Sequence, residues 1–185
     1  MPVANVPCED ARHETSAWLG MAETVLRIRL GRPEDARAVA VLVRRVTRRW
    51  VVPDQPREAG LALLSRQSAA IQRQRLLEGH RFHFAWLGPT LVGVATMRDD
   101  SHLTQLFVST RYHGRGSARR LWQRAMADAI RRAGTCRFTL NASRCAVPAY
   151  RRLGFVVAGP ERLSPNGVLT TPMVLECAPA RRQRA

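Results

Sequence analysis

Hydrophobic positions change period several times along the chain, and each change marks an element. Thr24-Val25-Leu26-Arg27-Ile28-Arg29-Leu30 alternates polar with apolar, as a half-buried strand does. Gly31-Arg32-Pro33-Glu34-Asp35 follows, with a proline suited to a first turn and two acids suited to the positive end of a helix dipole. Val39, Val43, Val46 and Trp50 then recur at spacings of four, three and four, which predicts a helix with one buried face. Arg44, Arg45, Arg48 and Arg49 fall mainly on its other faces. A proline-bounded break, Val52 to Pro56, leads to a second helical stretch from about Arg57 to Glu78, with Gly79 as its stop.

Two short strands are predicted next, Arg81–Leu87 and Thr90–Met97, joined by Gly88-Pro89. Asp99-Asp100-Ser101 is a turn signal before a strand over about 102–109. Ala118, Leu121, Trp122, Ala125, Ala129 and Ile130 share one side of a helix that runs to Ala133 and ends at Gly134. Arg137–Asn141 reads as a strand, Val147–Leu153 as a short helix stopped by Gly154, and Phe155–Ala158 with Val168–Leu175 as a closing pair of strands. The order β-α-α-β-β-β-α-β-α-β-β describes one mixed α/β domain over residues 24–177. Short turns between the middle strands make its centre partly antiparallel. Residues 1–23 show no periodicity and read as a disordered extension, with Met21 an alternative start; residues 178–185 read as a frayed basic tail.

Composition narrows this little. The chain has 185 residues, 45% of them hydrophobic, enough for a full core. No apolar run approaches the roughly 18 residues of a membrane helix, and no basic region precedes an apolar block at the start, so neither a span nor a secretory leader is expected. Cys8, Cys136, Cys145 and Cys177 form no Cys-x-x-Cys pair, so no metal site is expected, and a reduced, cytoplasmic compartment fits best. Net charge is +16, and all 30 basic residues are arginine. Such a surplus attracts nucleic acid, an acidic substrate or a phosphorylated cofactor. The arginines are scattered along the whole chain, which favours solvated faces over a dedicated anion site, so nucleic acid is not the favoured partner.

The chemistry concentrates at His113-Gly114-Arg115-Gly116-Ser117-Ala118, between a predicted strand and a predicted helix. Two close glycines there let backbone N–H groups point outward, and a helix N-terminus adds unpaired N–H groups. That is a phosphate cradle. A P-loop is excluded because the chain has no lysine. A dinucleotide fingerprint needs a third glycine where Arg119 stands, and no acid follows at the end of the next strand.

The same stretch resembles the GNAT superfamily of N-acetyltransferases, whose loop reads Arg/Gln-x-x-Gly-x-Gly/Ala after an apolar strand such as Leu106-Phe107-Val108. The departure is His113 where Arg or Gln is usual. Ala146-Val147-Pro148-Ala149-Tyr150-Arg151-Arg152-Leu153-Gly154-Phe155 is similar to a second family segment, Ala-x-x-x-Tyr-x-x-x-Gly-Phe, and Pro33-Glu34-Asp35-Ala36 resembles the family's opening. The resemblance covers roughly Val25 to Glu176.

It implies the GNAT fold: an α/β domain with a mixed sheet of about 6–7 strands, helices on both faces, and two central strands splayed at a cofactor cleft. Those strands would be Leu103–Ser109 and Arg137–Asn141. It implies acetyl-CoA as cosubstrate, with the backbone edge of Leu106, Phe107 and Val108 on the pantetheine arm and acetyl carbonyl. The loop from His113 and Gly114 through Arg115, Gly116 and Ser117 to Ala118 would hold the pyrophosphate, with Arg115 and Arg119 adding charge. Asn141 and Ser143, two apart on one strand face, would meet the arm, and Tyr150 would protonate the departing thiolate. An attacking amine must lose a proton, and His102 is the chosen base, with Gln105 through a water and His83 as alternatives. The expected enzyme transfers acetyl to a small-molecule or peptide amine by direct attack, as a monomer or homodimer. A silent CoA-binding module and an RNA-associated acetylase are the rival readings.

Overall fold

The computed structural model describes residues 25–164 and 167–177; the proposed N-terminal extension and basic tail lie outside them. β1 (Leu26–Leu30) forms where the alternation predicts it, and Pro33–Asp35 makes a 3₁₀ turn into α1 (Ala36–Val46). Asp35 closes that corner by accepting bonds from the Arg29 guanidinium and the Arg32 amide, each at 2.8 Å, and these hold its carboxyl below the usual range despite some burial. α1 continues through a single π-helical turn, Thr47–Val51. The wider turn shifts the side-chain phase, so Trp50 leaves the buried stripe of Val39, Val43 and Val46 and is 40% exposed.

The helical stretch expected as one piece is two, α2 (Arg57–Ser65) and α3 (Ala69–Leu77). Ser68 caps α3 by accepting from the Ile71 amide. Gln67, at the corner, is buried, and its Oε1 accepts from the amides of Gln72 (2.8 Å) and Gln105 (3.0 Å). A straight helix would carry Gln67 away from those partners.

β2 (Arg81–Leu87), β3 (Thr90–Arg98) and β4 (His102–Val108) form an antiparallel meander. Asp99 and Asp100 both take positive φ, the geometry of a tight hairpin turn. After α4 (Ser117–Ala133) come β5 (Arg137–Ala142), α5 (Val147–Arg152), and the two-residue strands β6 (Val156–Val157) and β7 (Arg162–Leu163). β8 (Leu169–Glu176) closes the chain. The sheet order is β1-β2-β3-β4-β5-β8-β6, with β7 added on β8; only β4–β5 is parallel.

Helices cover both faces. Leu121, Trp122, Ala125 and Ala129 of α4 pack on Ala95, Met97, Phe138 and Leu140. Val39, Val43 and Val46 of α1 pack on Phe82, Phe84 and Val94. The result is the mixed sheet with helices on both faces that the sequence predicts.

Candidate active site

β4 and β5 pair only through His102↔Thr139 and Leu103↔Leu140. Beyond that point β5 continues alongside β8, and β4 runs on through Val108 without β5 as partner. Register also slips in β4, where Gln105 faces Thr96 and Leu103 faces Met97, so Thr104 is an extra, bulged residue whose hydroxyl donates to Thr96 O at 3.1 Å. Splay and bulge together open a cleft of about 1070 Å³ along the Leu106–Val108 edge.

The glycine loop sits at the C-terminal end of β4. Gly114 and Gly116 have φ of +74° and +73°, and a Cβ on either would meet nothing within 4 Å. The space above the loop is open, and the first-turn amides of α4 have no intrahelical acceptor. Gly114, Gly116, Ser117 and Ala118 line the cleft. Arg115 is not among its walls; its guanidinium lies over the Tyr112 ring, 5.5 Å from the centroid.

His113 has a structural reason that the family pattern does not supply. Its Nε2 donates to Val108 O at 2.8 Å, tying the loop to the strand end, and its ring lies 6.0 Å from that of Trp50. Trp50 Nε1 donates to Thr110 Oγ1, and the Trp50 carbonyl accepts from Cys145 Sγ. The π-helical turn thus braces the loop from one side and the Ser143–Ala146 segment from the other.

Asn141, Ser143 and Tyr150 all line the cleft. Tyr150 is half-buried with its ring edge-on to Phe155, and burial, reinforced by nearby Cys145, pushes its phenol well above the usual value. His102 lines the same cleft near the pairing point, with Nδ1 2.8 Å from Thr139 Oγ1. Burial, then Arg98, lowers its pKa below that of a free histidine.

The alternative bases fare differently. Gln105 reaches the cleft, but its amide is engaged by Gln67 and by the Thr96 hydroxyl at 3.0 Å. His83 is not a cleft residue: the alternation of β2 turns it to the α4 side, where its Nε2 lies 3.4 Å from Asp128. Burial, against the pull of Asp128, holds it down to about 4. Sequence reasoning missed Gln67 and Arg66, from the α2–α3 corner that no glycine or proline marks, and Arg75 on α3, all of which also line the cleft. Among the described residues, none of the cleft walls is a carboxylate, no cluster of three or more His, Cys, Asp or Glu could hold a metal, and no helix is long and apolar enough to cross a membrane.

Comparison with known proteins agrees with this architecture. No curated protein matches the sequence at a significant level. Solved structures do match the fold. A GCN5-related N-acetyltransferase from Rhodopseudomonas palustris superposes with a TM-score of 0.68 at 22% identity, covering 82% of this chain and 96% of that one. The PaiA N-acetyltransferase of Thermoplasma acidophilum, solved in complex with coenzyme A, gives 0.68 at 15% identity over 82% and 99%. YncA of Salmonella typhimurium, solved with its cofactor acetyl-CoA, gives 0.60 at 18% over 87% and 99%. The family model described as the acetyltransferase (GNAT) domain matches residues 52–177, from the turn before α2 to the end of β8, and so the chain belongs to the GNAT acetyltransferase family.

Proposed function

We propose that this protein is an N-acetyltransferase that moves the acetyl group of acetyl-CoA to a primary amine by direct attack in a ternary complex. One observation carries the reading: a single cleft joins the glycine loop, the unpaired edge of β4, Tyr150 and His102.

The residues present fit the cosubstrate. Open space over Gly114 and Gly116, with the free amides of Ser117 and Ala118, suits a pyrophosphate. The Leu106–Val108 edge offers backbone groups to an amide-bearing arm, with Asn141 and Ser143 on the facing wall. When bound, acetyl-CoA supplies an activated acetyl group and a thiolate leaving group. An N–H on the β4 edge can donate to a carbonyl oxygen as that oxygen gains charge. Tyr150, its pKa raised, keeps its proton through the physiological range and can give it up only to a base formed beside it. His102, its pKa lowered, is neutral at pH 7; with Nδ1 on Thr139, Nε2 is the nitrogen left to take the proton that a neutral amine sheds as it attacks the carbonyl. Direct attack forms no acetyl-enzyme, so this route does not call on Cys145 as a nucleophile although it lines the cleft.

The test is an acceptor screen with acetyl-CoA, read by mass spectrometry and by release of free CoA thiol. Acetylated amine with stoichiometric thiol is the expected result. Bound acetyl-CoA with no release against any amine would leave a CoA-binding module without turnover.

A further inference from the structure

Arginines scattered along the sequence converge in space. Arg66 at the α2–α3 corner, Arg75 on α3, His80 before β2, Arg98 at the end of β3 and His102 at the start of β4 line one end of the cleft. β4 separates this end from the glycine loop by roughly 20 Å, taking about 3.3 Å per strand residue. The cluster is therefore distinct from the phosphate cradle.

Its charge is only partly compensated. Elsewhere, arginines beside the core have carboxylates: Arg81 lies 2.9 Å from Asp128, and Arg29 lies 2.8 Å from Asp35. Among the described residues, Arg66 and Arg75 have no carboxylate within ion-pair distance. Burial lowers Arg75, Glu78 opposes that, and Arg66 lowers it further. Glu78 accepts from Gln74 and is not a wall of the cleft, while Asp99 pairs with Arg98 in an exposed bridge and weakly favours the charged forms of His80 and His102. His80 keeps a buried Nδ1 without a hydrogen-bond partner. Desolvating guanidinium groups without a counter-charge is costly, and a ligand that brings the charge removes that cost.

We propose that the acceptor amine also carries an anionic group, carboxylate or phosphate, that is held by Arg66 and Arg75 at this end of the cleft. This rests on the N-acetyltransferase reading above. A planar guanidinium fork suits either anion through paired charge-assisted bonds.

The experiment uses paired amines that differ in one charge: amino acids against their carboxamides, and phosphoethanolamine and amino-sugar 6-phosphates against their dephosphorylated forms. Each pair is assayed with the wild type, Arg66→Gln, Arg75→Gln and Arg66→Lys. The expected result is that one anionic set exceeds its neutral twins in kcat/KM by at least about 10-fold, and that either Gln variant brings the ratio towards one. Arg66→Lys recovers part of it. Which set responds identifies the anion. Neutral twins used equally well, or a ratio untouched in Arg66→Gln, would overturn the proposal. Calorimetry of the N-acetylated products with the CoA-loaded protein decides it without turnover. Tighter binding of the anionic product, lost in Arg66→Gln, supports the anion site even if no amine is acetylated, which would sink only the transferase reading. Equal binding of the twins overturns the anion site.

Discussion

At the scale of single residues, the site sets two proton-holding groups at opposite protonation states in one cleft. Tyr150 is pushed up and stays protonated, and His102 is pushed down and stays neutral. Tyr150→Phe should therefore lower kcat by about 10²- to 10⁴-fold while acetyl-CoA affinity, measured by calorimetry, hardly moves. An unchanged kcat would remove the phenol from the mechanism. The histidine gives a pH signature. Below its lowered pKa both it and the amine must lose a proton, so log kcat/KM should climb with a slope of about two. Above that pKa, and up to the amine's own at about 10, the slope should be about one. His102→Gln should leave about one throughout. A bend that survives in the variant would assign the proton to another group.

At the scale of elements, the strand–loop–helix unit is the proposed cosubstrate cradle, and its two helix ends provide a matched control. Gly116 before α4 and Gly134 after it both have positive φ, and a Cβ on either meets nothing within 4 Å. Alanine at each should cost about 1 kcal/mol of stability, since the backbone strain is alike. Only Gly116→Ala should weaken CoA binding, because only there does the new methyl enter the cradle. Equal loss in both variants would mean that α4 stability, not the cradle, controls affinity.

That unit was legible in the sequence because each part has a local cause: alternation in the strand, glycines with positive φ, and a helical stripe ended by Gly134. The break between α2 and α3 was not. Its residues, Arg66, Gln67 and Ser68, continue a helical pattern, and the corner exists because Gln67 reaches Gln105 across 38 residues. Trp50 misled for a related reason: spacing assumes 3.6 residues per turn, and one π-helical turn rotates the tryptophan onto His113. His113 itself departs from the family pattern, and only the contact with the Val108 carbonyl explains it. Convergence of Arg66, Arg75 and Arg98 depends on tertiary path alone, which is why scattered arginines read as solvated surface.

At the scale of the whole molecule, the α4 side of the sheet buries a titratable group that takes no part in the site. His83 is 2% exposed and held to about 4, while an unfolded histidine titrates near 6.5. The unfolded chain thus binds the extra proton first as pH falls. Stability is fully present above about 6.5 and should decline by roughly 3 kcal/mol on going to pH 4. His80 and His102, also lowered, add in the same direction. Chemical denaturation across pH 4–7 should show the decline, and His83→Gln should flatten it. An equal slope in that variant would place the lost protons elsewhere. Asp128, held low by Arg81 and Arg131 against its own burial, contributes only below that window.

Meeting over only two residue pairs, β4 and β5 make the sheet two plates rather than one. α4 is the bolt across them: Trp122 packs edge-on to Phe138 of one plate, and Leu121 closes so tightly over β3 of the other that a Cβ on Gly93 would stand 2.7 Å from it. Whatever enters the gap as a guest strand joins the plates. Occupancy and rigidity then rise together: a ligand at a hundred times its Kd adds about 2.7 kcal/mol to the folded state. The melting temperature of this protein should climb with CoA concentration, and amide exchange should slow first along the facing edges of the two plates.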